Sequence, residues 1–434
     1  MKTRNTTGLR ICMFAYTEYL TDPRVRREAQ ALTARGDSVD FLCLRQPPTQ
    51  NQTFPTRWFT VDGVNVCQLP FKKYQGTNQI AYLMSYIVFT IIGFFWMTGL
   101  FFQKRYHLIQ VHTMPDFLVF AALIPRIFGC KVILDMHDLT SDLYSVKFKS
   151  RWTRPLIWGL RLQERMSAGL ANHVLTVHEP YREVLIERGI KPSKVSVLMN
   201  APDDRIFSME TRATGRLPAI QAGEKQPFVL VYHGTIVARY GLDVMLRAVA
   251  LLRQRGTVAP LRLVIYGKGD DLNRLRGIAT ELALDDIVYF HGKHVPTEQL
   301  PELLTQADLA VVPNLSNLFT EYVLPTKLME YAALGVPAVM AGTMVVKQYF
   351  DDEMVAYFEP GNEQELAQRI ETLAHDPARR RTMARIAHQR FTQRYGWPQM
   401  KQSYYELVDS LCRRTVQARQ KAALAAPTPN AITK

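Results

Sequence analysis

The sequence predicts an α/β protein built from two doubly wound domains. Short apolar runs, each long enough for one buried strand, alternate with segments of helical periodicity in both halves of the 434-residue chain. A polar segment with Gly and Pro, residues 209–226, separates the halves and predicts an interdomain linker. Strand and helix alternating at this spacing indicate βαβ units, so we expect a parallel sheet in each half.

Net charge, cysteine content and the N-terminal residues indicate which ligands and which cellular compartment suit this chain. The formal charge of +14 suits nucleic acid, a phosphate-rich ligand or an anionic membrane surface. No zinc-like or RNA-binding signature is present, so we do not expect nucleic acid. The five cysteines are scattered and lie mostly in apolar runs, which indicates buried thiols in a reducing compartment. The N-terminal residues are polar and lack the apolar core of a signal peptide, so we expect a cytoplasmic chain.

In the first half, strands are predicted at residues 10–15, 39–44, 61–69, 108–112, 131–135, 174–177 and 195–199. Helices are predicted at about 24–35, 115–128 and 180–188. Residues 147–165 carry many basic side chains, with Trp152 and Trp158 among them.

One stretch breaks this pattern, because Ile80 to Phe102 contains no charged residue over about 23 positions, enough to span a bilayer. Basic pairs flank it at 72–73 and 104–105. A crossing would put the strands before and after it on opposite sides of a membrane, although both look like parts of one sheet. We therefore expect a helix, or a helical hairpin kinked near Gly93, that lies in the interface of an anionic leaflet. The alternative is a buried helix in a dimer interface.

The second half alternates more cleanly. Its strands are predicted at 229–232, 261–266, 287–290, 309–312, 338–340 and 355–358. Helices are predicted to begin near 241, 271, 297, 325 and 345, and a further helix covers 363–373. Two more helices follow, broken near 396–398, and the tail 413–434 is basic and then rich in Ala and Pro, which predicts disorder.

Polar or glycine clusters follow the predicted strands of both halves. Examples are His137-Asp138, His233-Gly-Thr235 and Gly267-Lys-Gly269. Ligands bind outside the carboxyl ends of strands in open α/β sheets, so we expect a cleft between the two domains. The loop from Gly234 to Gly241 carries Arg239 and could wrap a phosphate, or it could be a plain βα connection.

The stretch from Leu324 to Pro337 predicts a short helix that starts at such a strand end. Pro325 and Thr326 are start signals, and Gly335 is the stop. Amides of a first helical turn suit a phosphate, and Lys327 lies in that turn with Glu330 one turn on. A cation near a phosphate and a carboxylate near sugar hydroxyls would hold a nucleotide diphosphate. An ordinary amphipathic helix remains the alternative.

Four stretches together resemble the family-4 glycosyltransferases of the GT-B fold. They are Asp22-Pro-Arg-Val-Arg-Arg-Glu28, Leu134-Asp-Met-His-Asp138, His233-Gly-Thr235 with Arg239-Tyr-Gly-Leu-Asp243, and Leu324-Pro-Thr-Lys-Leu-Met-Glu330 with Gly335-Val-Pro337. The resemblance implies two Rossmann-like domains facing across a cleft, with an acceptor domain at 1–208 and a nucleotide-sugar domain at 227–395. A helix at 396–412 would return to the first domain.

The resemblance also assigns roles. Glu330 matches the glutamate that binds the donor ribose, and Lys293, His294 and Val295 match the loop that holds the base. His137 matches a histidine near the reacting sugar, where a donor could stabilise developing charge, and Asp138 adjoins it. The candidate donor-binding residues are Gly234, Thr235, Arg239, Tyr240, Gly267, Lys293, His294, Val295, Thr326, Lys327 and Glu330, and no metal ligand is expected.

Three departures from the family pattern concern charged positions. Tyr322 stands eight residues before Glu330, where a glutamate is usual, with Glu321 beside it. Thr235 and Tyr240 replace an arginine and a lysine of the glycine loop. Arg239 and Lys327 are then the nearest cations for the diphosphate.

The implied activity is metal-independent, retaining hexosyl transfer from a UDP- or GDP-linked sugar, with no cofactor. The expected acceptor is a glycan or polyprenyl-linked glycan, in cell-surface polysaccharide or glycolipid synthesis. We expect a peripheral, monotopic protein on the cytoplasmic face of the inner or plasma membrane. Alternatives are a GT-B-like nucleotide-sugar epimerase and a degenerate, non-catalytic scaffold at the membrane.

Overall fold

The protein is described by a computed structural model that covers residues 8–45, 57–74, 76, 78–139, 153–211 and 226–413. The chain forms two compact units. The first consists of Met1–Met199 and Lys401–Lys434, and the second of Asn200–Met400. Most of the predicted linker at 209–226, the basic residues 147–152 and the tail beyond residue 413 lie outside the described residues.

The first unit contains an eight-stranded sheet whose order is β3-β4-β2-β1-β5-β6-β7-β8. All neighbouring pairs are parallel except the β3–β4 hairpin at one edge. The strands are β1 (Arg10–Ala15), β2 (Ser38–Cys43), β3 (Trp58–Val61), β4 (Val64–Gln68), β5 (Leu108–His112), β6 (Lys131–Met136), β7 (His173–Thr176) and β8 (Val195–Val197).

The helices of the first unit are α1 (Pro23–Ala34), α2 (Gln79–Lys104), α3 (Leu123–Ile127), α4 (Thr153–Leu170) and α5 (Glu179–Glu187). Two predictions here are wrong in detail. The strand predicted at 61–69 starts too early: β4 begins at Val64, and Asp62 and Gly63, which both have positive φ, form the turn of its hairpin with β3. The helix predicted at 115–128 is a 3₁₀ segment, Asp116–Ala122, followed by α3. Pro125 has no amide proton for the helical bond back to residue 121.

Helix α2 is the apolar stretch singled out from the sequence, and it runs unbroken through Gly93, so the kinked hairpin is wrong. It is long and apolar enough to cross a membrane by length and composition alone. Its residues at i+4 spacing are buried, from Ser85 and Phe89 to Met97 and Phe101. Phe89 stacks on Phe14 of β1 with ring centroids 4.9 Å apart. The helix therefore packs along the sheet, and β1 pairs directly with β5 as expected.

The second unit contains a six-stranded parallel sheet whose order is β11-β10-β9-β12-β13-β14. This is the 3-2-1-4-5-6 order of a dinucleotide-binding fold, and it reverses between β9 and β12. The strands are β9 (Phe228–His233), β10 (Leu261–Tyr266), β11 (Val288–Phe290), β12 (Leu309–Val312), β13 (Ala338–Ala341) and β14 (Ala356–Phe358).

The helices after β9 are α6 (Leu242–Arg255), α7 (Leu272–Glu281), α8 (Leu300–Leu304), α9 (Thr326–Leu334), α10 (Met344–Tyr349), α11 (Glu363–His375), α12 (Pro377–Tyr395) and α13 (Trp397–Leu411). The core of this unit lies between the sheet and helices α6, α7 and α11. Helix α13 starts in the second unit, but from Lys401 onward it belongs to the first. All five cysteines are buried, and no disulfide bond joins any of them.

Candidate functional site

The strongest cluster of predicted residues lies at the switch point of the second sheet. His233 ends β9, and Gly234 follows with φ +119°. A Cβ on Gly267, which follows β10, would lie 1.9 Å from the carbonyl oxygen of Gly234. The two backbones therefore touch, and only glycine fits at the second position.

Glu330 of α9 reaches back to β9. Its Oε2 lies 2.5 Å from Nε2 of His233, and Nδ1 of His233 lies 2.8 Å from the hydroxyl of Tyr331. A carboxylate only accepts, so Nε2 donates and Nδ1 accepts the Tyr331 hydroxyl proton. His233 is buried, whereas 16% of the Glu330 side chain is exposed. The carboxylate is thus held in one orientation with its remaining lone pairs open to a ligand.

Lys327 is the buried cation of this cluster. Its Nζ donates to the hydroxyl of Tyr232 at 2.6 Å and lies 3.9 Å from the centre of that ring. Burial lowers the pKa of Lys327 to about 7, although Glu330 acts in the opposite direction. Nζ would lie 3.2 Å from a Cβ on Gly234, so the ammonium sits against the glycine loop. A bound anion would favour its charged form.

Arg239 and Lys327 meet at one aromatic ring. The guanidinium carbon of Arg239 lies 5.1 Å from the centre of Tyr240, and Nζ of Lys327 lies 4.8 Å from the same point. Arg239 also covers Phe319 at 5.3 Å. The structure therefore brings together the two cations that the sequence offers in place of the family residues, and both lie near the ring of Tyr240, which replaces the usual lysine.

The remaining predicted residues lie in the loops after β9 and β11 and at the start of α9. Thr235 is exposed, and its carbonyl accepts from Tyr232, while Thr326 is exposed at the start of α9. Lys293 and His294 are exposed and Val295 is buried in the loop after β11. That loop follows the outermost strand, two positions along the sheet from β9.

Glu321 has a structural partner. Its two oxygens lie 2.5 Å from the Ser316 hydroxyl and 2.7 Å from the Met344 amide nitrogen. It therefore ties the loop after β12 to the first turn of α10.

In the first unit, His137 follows β6 and is 18% exposed at its side chain. Its Nε2 lies 3.1 Å from Oδ2 of Asp135, which also lies 2.9 Å from Nδ1 of His112. The other oxygen of Asp135 accepts from Arg24 at 2.8 Å. Burial opposes ionisation of Asp135, but Arg24, His137 and His112 outweigh it and hold its pKa well below the usual range.

The ligand atoms of His112, Asp135 and His137 lie within 4.8 Å of one another, a spacing compatible with a metal ion. Arg24 already binds the shared carboxylate, however, and its fixed charge disfavours a second cation there. We therefore do not assign this group to a metal.

Asp138 is half-buried beside His137, and its charge contributes to the environment of Asp116. Asp116 is fully buried, and neither carboxylate oxygen has a hydrogen-bond partner among the described residues. Burial, together with Glu164 and Asp138, raises the pKa of Asp116 to about 8. This region of the first unit is therefore rich in carboxyl groups, and burial favours the protonated form of Asp116.

Sequence reasoning missed several partners. Tyr232 and His233 hold Lys327 and Glu330, and Asp135 holds His137. A signal for Asp135 existed, since it lies two residues before His137 and directly opposite His112 in the β5–β6 pairing. Tyr232 carried no such signal, because an aromatic residue in a buried strand is ordinary.

Two family models match this chain, one in each unit. The family model described as "Glycosyl transferases group 1" matches residues 216–390. The model described as "Glycosyl transferase 4-like domain" matches residues 21–201. Together the two matched regions include His137, Glu330 and every other predicted site residue.

Among similar proteins, a chitobiosyldiphosphodolichol beta-mannosyltransferase of Debaryomyces hansenii is 22% identical over 298 residues, 64% of this chain and 62% of the relative. A D-inositol 3-phosphate glycosyltransferase of Pseudarthrobacter chlorophenolicus is 26% identical over 257 residues, 57% of this chain and 58% of the relative. The alignments thus span less than two thirds of the length of these relatives.

Solved structures share the fold. The sucrose-phosphate synthase of Thermosynechococcus elongatus superposes with a TM-score of 0.71 at 18% identity, over 93% of this chain and 99% of that one. The Anabaena protein HepE in complex with UDP superposes with a TM-score of 0.66 at 16% identity, over 93% of this chain and 100% of that one. These likenesses confirm the α/β GT-B fold predicted from the sequence.

Proposed function

The chain belongs to the group 1 glycosyltransferases, and from that premise we propose that it transfers a hexosyl group from a UDP- or GDP-linked sugar to a lipid-linked glycan. The observation that carries this proposal is the cluster of Lys327, Glu330 and Arg239 at the switch point of the second sheet. It supplies two cations for a diphosphate and one oriented carboxylate for ribose hydroxyls.

The donor half of the proposal has a physical basis in the second unit. The glycine contact between residues 234 and 267 leaves backbone next to the buried ammonium of Lys327, where a phosphate could approach closely. Exposed Thr326 opens α9, whose first amides and dipole favour an anion. The loop of Lys293, His294 and Val295 is then our candidate for the base. HepE was solved with UDP, which suits a donor of this class.

The acceptor half is supported by the surface of the first unit. Opposite its buried stripe, α2 exposes an apolar stripe at helical spacing, Ile80, Leu83, Met84, Val88, Ile91, Phe95 and Phe102. Phe128, just after α3, contacts Phe102 with ring centroids 5.2 Å apart, and Ile127 beside it is 67% exposed. Exposed Lys72, Lys73 and Arg105 flank this stripe in sequence.

We define the apolar stripe of α2, together with Ile127 and Phe128, as the apolar face. An exposed apolar surface of this extent with basic residues near it fits the interface of an anionic leaflet. The proposal is therefore a monotopic protein at the cytoplasmic surface of a membrane, where a polyprenyl-linked acceptor is available. The yeast relatives are named for a dolichol-linked acceptor, which is consistent with this choice.

For the chemistry, we propose that His137 donates to the reacting sugar or to charge that develops in the transition state. Its Nε2 donates to Asp135, so Nδ1 is the ring atom left for substrate, and it can donate there only when both ring nitrogens carry a proton. Asp138 is the neighbouring group proposed to contact the acceptor. We further propose retention at the anomeric carbon and no need for a metal ion. Activity should then persist in excess chelator, and the anomeric proton coupling of the product reports its stereochemistry.

The test uses the purified full chain with UDP- and GDP-linked hexoses. The first measurement is the shift in melting temperature with each donor, and the second is transfer to polyprenyl-diphosphate-linked glycans in vesicles, detected by mass spectrometry. The proposal expects one donor class to stabilise the protein and to yield a longer lipid-linked glycan. Conversion of the donor to an epimer without an acceptor, or no binding of any nucleotide diphosphate, would contradict it.

A further inference from the structure

A buried chain of hydrogen bonds runs through the first unit from α13 toward His137. The hydroxyl of Tyr404 on α13 donates to Oε1 of Gln110 on β5 at 2.5 Å. Nε2 of Gln110 then donates to Oε2 of Glu28 on α1 at 2.7 Å. The sequence separation is large, since Tyr404 and Gln110 are 294 residues apart. The last described helix thereby contacts the centre of the first sheet.

The chain continues from Glu28 to the candidate catalytic histidine. Arg24 lies one helical turn before Glu28 and donates to its Oε1 at 3.3 Å, and it donates to Asp135 at 2.8 Å. Asp135 in turn holds both His137 and His112. We call Tyr404, Gln110, Glu28, Arg24 and Asp135 the buried chain.

Every member of the buried chain is at most 6% exposed, and Gln110 and Asp135 are at 0%. Two buried carboxylates thus share one guanidinium, so the position of Arg24 depends on how well each carboxylate is satisfied. Burial and the charge of Asp135 raise the pKa of Glu28, against the opposing effects of His112 and Arg24. Gln110 supplies the neutral donor that Glu28 requires.

The Tyr404 hydroxyl fixes which way the Gln110 amide points. Because the hydroxyl donates to the amide oxygen, the amide nitrogen must face Glu28. Without the hydroxyl, the amide is free to rotate and Glu28 loses its fixed donor. Glu28 then competes for Arg24, and Asp135 loses the partner that holds it under the imidazole.

We infer that Tyr404 is a positioning residue that fixes the ring orientation and protonated nitrogen of His137 through the buried chain. The kinetic part of this inference rests on the proposed role of His137 in sugar transfer, but the structural part does not. Among the described residues, the charged or titratable groups near His137 are Arg24 and Glu28 of α1, His112 of β5 and Asp135 of β6, with Asp138 adjacent in sequence.

The next residue on α13 provides a matched control. The Tyr405 hydroxyl donates to the carbonyl of Ala31 at 2.6 Å, also on α1, but it does not contact the buried chain. Tyr405→Phe and Tyr404→Phe therefore remove the same atom from the same helix, and each variant breaks one hydrogen bond within the first unit. A general loosening of α13 would affect both variants alike, whereas the inference expects only the second to affect His137.

The first experiment needs no substrate. Histidine-selective ¹⁵N labelling of the full chain gives ring-nitrogen shifts that report which nitrogen carries the proton, and His137→Gln assigns the signals of that residue. We expect the His137 ring-nitrogen signals to move in Tyr404→Phe and to stay at their wild-type positions in Tyr405→Phe. Equal signals in both variants would overturn the inference. If Tyr404→Phe does not fold, Gln110→Met interrupts the same chain and must give the same shift.

The second experiment measures transfer. Tyr404→Phe should lower kcat about tenfold, with the donor KM unchanged and the pH dependence of kcat displaced, since one positioning bond is worth about that factor. In a His137→Gln background, Tyr404→Phe should have no further effect on kcat. Independent, multiplicative effects would show that Tyr404 acts elsewhere. Absence of transfer in the wild type would contradict only the proposed function, because the NMR result stands without it.

Discussion

The carboxylate of Glu330 lies 2.5 Å from Nε2 of His233, so the last residue of β9 orients a side chain of α9 across the switch point of the second sheet. The bond places a carboxylate beside the end of β9, where the strand order reverses between β9 and β12, which is the position of the ligand crevice in an open parallel sheet. A ligand that offers hydroxyl donors to Glu330 therefore meets a side chain already held in place.

Replacing Glu330 with Ala should weaken nucleotide-diphosphate binding about 10- to 100-fold, because two hydroxyl bonds to a charged acceptor are lost. Isothermal titration calorimetry with UDP and GDP measures the effect. Glu321→Ala is the matched control, since its oxygens bind Ser316 and the Met344 amide. The control should keep its nucleotide affinity and lose about 1 kcal/mol of stability. Equal losses of nucleotide affinity in Glu330→Ala and Glu321→Ala would contradict a specific role of Glu330 in binding.

Nucleotide affinity should also depend on pH through Lys327. Burial lowers the pKa of Lys327 to about 7, so the free protein holds this side chain mostly neutral at pH 8 and mostly charged at pH 6. A diphosphate requires the charged form, so affinity should fall about fivefold from pH 7 to 8 and about tenfold per unit above that. Direct binding of the nucleotide between pH 6 and 9 measures the slope.

Two lysine variants test whether Lys327 causes this pH dependence. Lys327→Met should bind the nucleotide weakly, with an affinity that no longer falls above pH 7. Lys194 of the first unit also has a pKa lowered by burial, but it donates to the Gly169 carbonyl. Lys194→Met should keep the full wild-type slope. If the affinity of Lys327→Met still falls above pH 7, a group other than Lys327 loses the proton.

The sequence predicted most of the fold because buried parallel strands appear as continuous apolar runs, and helix stops such as Gly335 are local signals. It also predicted Glu330, Lys327 and Arg239, which lie in local patterns beside strand ends. It did not predict the bonds that hold them. Those bonds join residues far apart in the chain, as His233 and Glu330 are, and no spacing rule connects them.

The buried face of helix α2 also could not be predicted from the sequence. Its sequence is apolar on every face, so periodicity could not show which face the sheet covers. Packing decides this, because a Cβ on Gly93 would lie 2.3 Å from Phe14, and the helix meets β1 along that side. The opposite stripe is left exposed.

Charging the apolar face should release the protein from membranes. Phe95 is 69% exposed on α2, and Phe95→Glu should lower partitioning onto anionic vesicles about tenfold or more, because a large side chain is worth about 1.5–3 kcal/mol when buried. Sedimentation with phosphatidylglycerol vesicles measures the bound fraction. Leu318 of the second unit is 66% exposed, and Leu318→Glu serves as the matched control. Unchanged sedimentation of Phe95→Glu would show that another surface of the protein contacts the membrane.

The packed side of α2 is tested by two of its glycines. Gly93→Ala places a methyl group 2.3 Å from the Phe14 ring, which must shift, so it should lower the free energy of unfolding by about 1–3 kcal/mol. Gly99 lies on the same helix, and a Cβ there meets nothing within 4 Å. Gly99→Ala should therefore raise stability by about 0.5–1 kcal/mol, since alanine favours a helix interior. Thermal and urea unfolding measure both variants. If α2 detached from the sheet to enter a bilayer, both substitutions would stabilise the helix alike, so opposite signs support a helix that stays packed on β1.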